Sequence, residues 1–293
     1  MTNYQEKLHQ LIHPSKPQNL EDDMIKTELI ELTPELARVF LGKNTKNRPL
    51  RESHVQYYKG AILRGEWKNN GDPIRFSKSG KMLDGQHRCH AVLRAGVSIT
   101  VSICSGLDDD VFDTIDRGAI RTTADIMGIK GEKNYALLAA IARLVYVHNL
   151  NPDNPFSISS DKYPTAQQLC VLVDSSPSLR DSAHFVVCHA WLKKYCTPSV
   201  IGFCHFIFSK TDQKKCEDFF ESLDSGTGLQ KFSPIFALRE RLIDCSLSKG
   251  KLKNFYKTAL IFKAFKLYRD DAFVKTLRVR TEGEIVDKDL FVL

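Results

Sequence analysis

The sequence predicts an α+β protein in which a small α+β domain is followed by a mostly α-helical domain. The length of 293 residues corresponds to roughly two domains at about 150 residues each. Helix-type and strand-type patterns alternate between residues 33 and 104, whereas almost every segment beyond residue 124 has helical spacing. We therefore expect a polar N-terminal tail at 1–32, an α+β domain at 33–125 and a helical domain at 126–293 with a basic C-terminal segment.

The elements of the first domain follow from local signals. Pro14 and Pro17 interrupt any helix in the tail, while Thr33 followed by Pro34 is typical of a helix start. A strand–turn–strand pattern precedes a helix that stops at Gly96. The predicted order is helix 33–40, helix 53–64, strand 74–76, strand 82–83, helix 86–95 and strand 98–103.

The helical domain is predicted from apolar periodicity and from loop-like punctuation at 151–155 and 224–228. Three acids at 108–110 favour a further helix start, since acids suit the first turn of a helix. Residues 276–286 fit either a small hairpin or a frayed tail. The predicted helices are 134–148, 165–173, 179–194, 198–209, 212–223, 234–246 and 251–270.

Composition and charge limit the function classes. The formal net charge of +7 permits a polyanionic partner without requiring one. The most apolar run, 136–147, is shorter than a membrane span and contains Arg143, and the first thirty residues lack the apolar stretch of a secretory signal. We expect a cytoplasmic protein that has no membrane partner.

Eight scattered cysteines, none in a CxxC pair, are expected to be reduced. Cys188, Cys196 and Cys204 recur at eight-residue steps, with histidines after the first and third. Zinc binding is one interpretation of this spacing. Packing of small apolar side chains on helices is favoured over it, because structural zinc sites usually have tighter ligand pairs.

The C-terminal segment concentrates positive charge. Residues 231–280 contain thirteen Lys/Arg and four acids, a net charge of +9, with aromatic residues interleaved. Such a helical face could follow a phosphate backbone, or it could be a solvated helix whose aromatics belong to the core. The candidate nucleic-acid-binding residues are Lys251, Lys253, Lys257, Lys263, Lys266, Arg269, Arg278 and Arg280.

The string Asp84-Gly85-Gln86-His87-Arg88, which we call the box, lies where a predicted strand turns into a helix. Gly85 permits a sharp turn, and the first-turn amides, an imidazole and a guanidinium would stand together as an anion site suited to phosphate. Asp84 could hold a metal, orient Arg88 or accept a proton. The alternative is a capped helix start with a structural Asp84–Arg88 pair.

The stretch from Asn47 to Ile103 resembles the ParB N-terminal/sulfiredoxin superfamily, and within it the phage ParB-like branch that carries this box. The resemblance rests on Asn47-Arg48-Pro49, Gly65-Glu66-Trp67, the two strands and the box, and its continuation includes Asp116, Arg117 and Arg121. It covers about a quarter of the chain. It implies that the first domain is ParB/sulfiredoxin-like and that the protein works in the cytoplasm of a bacterial host cell.

Site residues follow from the resemblance one by one. Gly85, Gln86, His87 and Arg88 match a box that binds nucleotide phosphates in related chains, and Asn47 and Arg48 match an upstream motif near the same pocket. Either of the last two could instead lie in a surface loop. Asp84 is the candidate catalytic carboxylate, with Glu52 as a second. The implied cofactor is a nucleoside triphosphate of unknown identity, with Mg²⁺ as an optional companion and no separate metal site.

Several functions remain open, because the superfamily hosts different chemistries. The leading hypothesis is a phage or mobile-element protein that binds a nucleotide through the box and engages DNA or a DNA-bound partner through the basic helical domain, with a homodimer as one possible assembly. The alternatives are a metal-dependent nuclease, a small-molecule phosphotransferase, and a binding-only factor that targets a host protein. Sulfinic acid repair is disfavoured because Gln86 stands where a thiolate is needed. The nucleotide hypothesis requires that the groups at the helix start be exposed.

Overall fold

The computed structural model of the chain is α+β. The chain divides into two compact units, one of residues 1–119 with 159–163, and one of residues 120–158 with 164–293. This division lies near 119/120, a few residues before the expected boundary. The structure describes residues 24–45, 47, 49–111, 115, 121–247, 253–279, 281–282, 285–286 and 290–291.

The first unit, which we call unit 1, is built on a four-stranded mixed sheet. Its strands are β1 (Lys26–Leu32), β2 (Ile74–Ser77), β3 (Met82–Asp84) and β4 (Ile99–Leu107), in the spatial order β1-β4-β2-β3. β1 and β4 are antiparallel, β2 and β4 are parallel, and β2 and β3 form the expected antiparallel hairpin.

The described part of unit 1 also contains a short 3-10 helix (Ser160–Lys162) and three α-helices: α1 (Pro34–Leu41), α2 (Glu52–Leu63) and α3 (Gln86–Ala95). The Thr33 hydroxyl accepts a hydrogen bond from the Leu36 amide and so caps α1 as the sequence indicates. The core lies between helices and sheet, with the Phe40 and Phe76 rings edge to face at 4.9 Å.

Residues 26–32, which were expected to belong to a polar tail, form strand β1 instead. Residues 1–23 lie outside the described residues, but Lys26–Leu32 pairs along its whole length with β4, from Lys26 opposite Ser105 to Leu32 opposite Ile99. Only Leu32 is buried, so the strand has no alternating apolar pattern that would reveal it. Main-chain hydrogen bonds to β4 hold it in place.

The second unit, which we call the helical unit, contains nine α-helices among its described residues and a short two-stranded sheet of β5 (Thr281–Glu282) and β6 (Ile285–Val286). The helices are α4 (Thr123–Ile129), α5 (Tyr135–Leu150), α6 (Ala166–Ser175), α7 (Ser178–Cys188), α8 (Ala190–Tyr195), α9 (Pro198–Thr211), α10 (Gln213–Ser225), α11 (Pro234–Leu247) and α12 (Asn254–Arg269).

Phenylalanine rings fill the core of the helical unit. Phe208 of α9 stacks on Phe265 of α12 with ring centroids 4.0 Å apart, and Phe219 and Phe220 of α10 pack around this pair. The rings are fully buried, which accounts for the helical periodicity of these segments.

One helix prediction needs correction. The single helix expected at 179–194 is two helices, because the backbone leaves helical geometry at His189 (φ −106°, ψ 94°). The helix expected from Asp108 falls largely outside the described residues, as do Asp116 and Arg117. No helix in the described part of the chain combines the length and the apolar composition needed to cross a membrane.

Candidate functional site

The box begins where β3 ends and α3 starts. Gly85 takes a left-handed conformation (φ +106°), and a Cβ at this position would lie 2.8 Å from the Ile74 side chain. Glycine is therefore required for both backbone and space. Among the described residues, no side chain caps α3 at this end.

The anion-site interpretation requires the side chains that follow Gly85 to be exposed. In the structure they are buried. Gln86, His87 and Arg88 are respectively 4%, 6% and 7% exposed. They turn inward because each has hydrogen-bonding partners inside unit 1.

Arg88 is at the centre of a charge network. Its Nη2 donates to the Pro73 carbonyl oxygen at 2.8 Å and to Asp84 Oδ2 at 3.1 Å, and its Nη1 donates to the Asp72 carbonyl oxygen. Arg75 Nη1 lies 2.9 Å from the same Asp84 oxygen, and Arg75 Nη2 lies 3.2 Å from Asp72 Oδ1. Two arginines and two aspartates thus balance each other and join α3 to the β2–β3 hairpin and to the loop before it.

A second set of contacts surrounds Gln86. Asn44 Nδ2 donates to Gln86 Oε1 at 3.0 Å, Gln86 Nε2 donates to Asn47 Oδ1 at 3.4 Å, and Asn47 Nδ2 donates to the Leu83 carbonyl oxygen at 3.4 Å. Asn44 Oδ1 is buried without a hydrogen-bond partner. This amide cluster brings Asn47 to the box, as the resemblance implies, whereas Arg48 lies outside the described residues.

His87 accepts a hydrogen bond at Nε2 from the Arg51 amide, at 3.1 Å. A ring nitrogen that accepts carries no proton, so this nitrogen cannot donate to a phosphate oxygen. The His54 ring lies 5.6 Å from the His87 ring, between centroids. The imidazole therefore serves to join α3 to the start of α2.

The two candidate catalytic carboxylates are placed differently. Asp84 has a side chain 16% exposed and holds Arg75 and Arg88. Glu52 is exposed and pairs with Arg94 of α3. Its hydrogen bond from Gln56, followed by the Arg94 contact, lowers the pKa of the Glu52 carboxyl. Both carboxylates are arranged as ion-pair partners.

The expected nucleoside triphosphate, with or without Mg²⁺, does not fit the box as these side chains are arranged. Asp84 and Arg88 neutralise one another, and the lone pair of His87 Nε2 is already used. Among the described residues, no three His, Cys, Asp or Glu side chains are grouped to hold a metal ion. Cys89, next to Arg88, is fully buried, and burial raises the pKa of its thiol to about 12.

The cysteines of the helical unit pack mainly in the core. Cys196 and Cys204 are buried, and burial raises the pKa of the Cys196 thiol to about 12. Cys188 is exposed. His205 is bonded through Nδ1 to the Ser182 hydroxyl at 3.0 Å. These placements agree with core packing for the buried thiols.

The basic C-terminal residues are distributed over two environments. Helix α12 is mainly a core helix, so its cations Lys257, Lys263, Lys266 and Arg269 are half-buried. Lys257 Nζ donates to the Tyr195 carbonyl oxygen at 2.7 Å, at the end of α8. Lys253 and Arg278 are exposed, and Lys251 and Arg280 lie outside the described residues.

Sequence reasoning missed Arg75 and Asp72, the other two members of the charge network. A signal was present, since two acids and two arginines recur between residues 72 and 88 around a predicted hairpin. The pairing could be found only by placing residue 75 opposite residue 84 across β2 and β3, which is the observed register.

Comparisons of this chain with protein-family models, with curated proteins and with solved structures found no match.

Proposed function

We propose that this protein acts by binding a polyanionic partner through its helical unit, with DNA as the first candidate, and that the box serves the fold of unit 1. The observation that carries the structural role of the box is the engagement of Arg88 with two carbonyl oxygens and the Asp84 carboxylate. Releasing one partner of such a buried pair costs about 3–5 kcal/mol. A phosphate at Arg88 would have to offset that cost, which favours other cations of the chain as the anion-binding groups.

The positive charge of the helical unit favours a negatively charged partner. Residues 253–279 contain seven Lys/Arg and two acids, a net charge of +5 in a segment that includes α12. Lys253, Lys275 and Arg278 are exposed. Cations of this kind neutralise phosphates and release counterions, which favours association with a nucleic acid of any sequence.

The proposal includes that unit 1 is ParB/sulfiredoxin-like and that the protein is of phage origin. It is supported by the order of hairpin, left-handed glycine, helix and strand between residues 74 and 107. The chemistry of the superfamily is not carried over, because Arg88 and Asp84 are paired with each other. We therefore keep the DNA-binding part of the leading hypothesis and leave out nucleotide binding at the box.

Fluorescence anisotropy of a labelled DNA duplex, titrated at about 50–200 mM NaCl, tests the partner. We expect log K to fall with log salt concentration, with a slope of about 0.9 for each phosphate neutralised. The Lys253→Gln/Lys263→Gln variant should bind more weakly and reduce the slope by about two. Lys214→Gln, an exposed lysine of α10, is the matched control. No binding at the lowest salt concentration, or equal losses in variant and control, would overturn the polyanion proposal.

Calorimetric titration with CTP, ATP and GTP, with and without Mg²⁺, tests the role of the box. The parent and Arg88→Lys are compared at a temperature where both are folded. If the box has a structural role, the two proteins should have the same affinity for any nucleotide. Saturable binding by the parent that disappears in Arg88→Lys would instead make the box a nucleotide site.

A further inference from the structure

The helical unit contains a groove of about 480 Å³ that is lined by residues of the basic C-terminal segment. Its walls come from α11, from Tyr256 of α12 and from the extended segment 275–279. Ligand sites commonly have volumes of about 300–1,000 Å³, so the groove is large enough for a small metabolite.

Three cations line this groove: Arg241 of α11, and Lys275 and Arg278 of the extended segment. Arg241 Nε is buried and has no hydrogen-bond partner. No hydrogen bond or ion pair joins the side chain of Lys275 or Arg278 to another residue in the part of the chain that the structure describes. Lys275 and Arg278 are therefore the cations that the groove presents without a partner among the described residues.

The main chain that carries two of these cations is anchored in the core of the helical unit. Leu277 and Val279 are buried in the core of the helical unit at 1% and 7% exposure, while Lys275 and Arg278 are exposed. This anchors the segment 275–279 on both sides of Arg278. Arg241 is itself oriented by its hydrogen bond with Tyr256, which also raises the pKa of the guanidinium.

Two carboxylates share the groove with the cations. Glu240 and Asp244 lie on α11 on either side of Arg241 in the sequence. Carboxylates accept hydrogen bonds from hydroxyl groups and repel a second anionic group. The groove therefore favours a ligand with one compact anionic end and a hydroxyl-bearing remainder over a uniformly anionic ligand.

We propose that this groove binds a small phosphomonoester that carries hydroxyl groups, with its phosphate against Arg241, Lys275 and Arg278 and its hydroxyls toward Glu240 and Asp244. A nucleoside monophosphate and a sugar phosphate share this chemistry. The site goes beyond the polyanion proposal, because it needs only the groove and its three cations. Arg–phosphate contacts are charge-assisted and suit the planar guanidinium.

Isothermal titration calorimetry of the full chain with AMP, ribose 5-phosphate and adenosine tests the site. We expect saturable binding of the two phosphates and none of adenosine. Tighter binding of AMP than of ribose 5-phosphate would assign the site to nucleotides, and equal binding would assign it to sugar phosphates. Absence of saturable binding of both phosphates would overturn the proposal, as would adenosine binding as tightly as AMP.

Arg278→Gln and Lys275→Gln change exposed side chains, so both variants should fold. Each should weaken phosphate binding about tenfold, which corresponds to the loss of one charge-assisted hydrogen bond. Lys214→Gln should bind like the parent, and an equal loss in this control would overturn the assignment of the groove. DNA binding without phosphomonoester binding would refute this site alone, whereas the reverse would refute the polyanion proposal alone.

Discussion

Replacement of Arg88 by alanine should destabilise unit 1 far more than replacement of an exposed arginine on the same helix. The Arg88 side chain is 9% exposed and donates to two main-chain carbonyl oxygens as well as to Asp84. Removing it leaves those acceptors without this donor and leaves Asp84 with Arg75 alone. The expected loss is about 3–5 kcal/mol, a large part of the roughly 5–15 kcal/mol that stabilises a typical domain.

The two tryptophans of the chain allow the two units to be followed separately. Trp67 belongs to unit 1 and donates to the Thr100 carbonyl oxygen at 3.0 Å, while Trp191 belongs to the helical unit, beneath the Arg239 guanidinium. Urea unfolding measured by fluorescence in a Trp191→Phe background therefore reports on unit 1. The midpoint for Arg88→Ala should fall well below that of the background protein.

Two further variants sharpen this test. Arg88→Lys keeps the charge but not the planar fork, so its midpoint should lie between those of the background protein and Arg88→Ala. Arg94 lies on the same helix as Arg88, and its partly exposed side chain pairs with Glu52. Arg94→Ala should therefore change the midpoint little. A loss in Arg88→Ala no greater than that in Arg94→Ala would refute the structural role of the box.

Three other outcomes are expected. Gly85→Ala should cost more than about 1 kcal/mol, and more than Gly96→Ala, because only the former combines a positive φ with a clash against Ile74; equal urea midpoints would contradict this. Burial lowers the pKa of His205 to about 4, below the value of about 6.5 in the unfolded chain. The stability from this neutral imidazole is therefore complete above about pH 6.5 and declines as the pH falls toward 4. His205→Gln should therefore flatten the dependence of the urea midpoint on pH between about pH 7 and pH 5. An unchanged slope would contradict this role of His205. Cys188 is the exposed thiol among eight, so Ellman's reagent should modify one thiol rapidly in the folded protein and none in Cys188→Ser.

The local signals of unit 1 predicted most of its elements. Gly85 and Gly96 mark the ends of α3 in the sequence, and both are left-handed in the structure. The turn residues between β2 and β3 likewise predicted the hairpin. These positions could be predicted because backbone conformation there depends on a few adjacent residues.

The burial of the box could not be predicted in the same way. Whether Arg88 faces a ligand or the protein depends on Arg75 and Asp72, which reach it only through the register of the β2–β3 hairpin. A helix start with first-turn polar residues is compatible with either environment. Exposure is a tertiary property, and the spacing of residues 84–88 does not encode it.

Helix α12 shows the same limitation on a larger scale. Its regularly spaced lysines are compatible with a solvated basic face, yet eight of its sixteen residues are buried. The lysine heads remain at the margins while Phe262 and Phe265 enter the core. Long aliphatic stems let lysine occupy such half-buried positions, so charge counts alone overestimate the exposed basic surface.

The pairing of β1 with β4 has a practical consequence for work with fragments. A recombinant piece started at residue 33, where sequence composition suggests a boundary, would strip the β4 edge of its seven paired neighbours. Bare strand edges recruit other chains, so such a fragment is expected to aggregate even though every residue of the box is present. Expression trials should therefore retain residues 24–32.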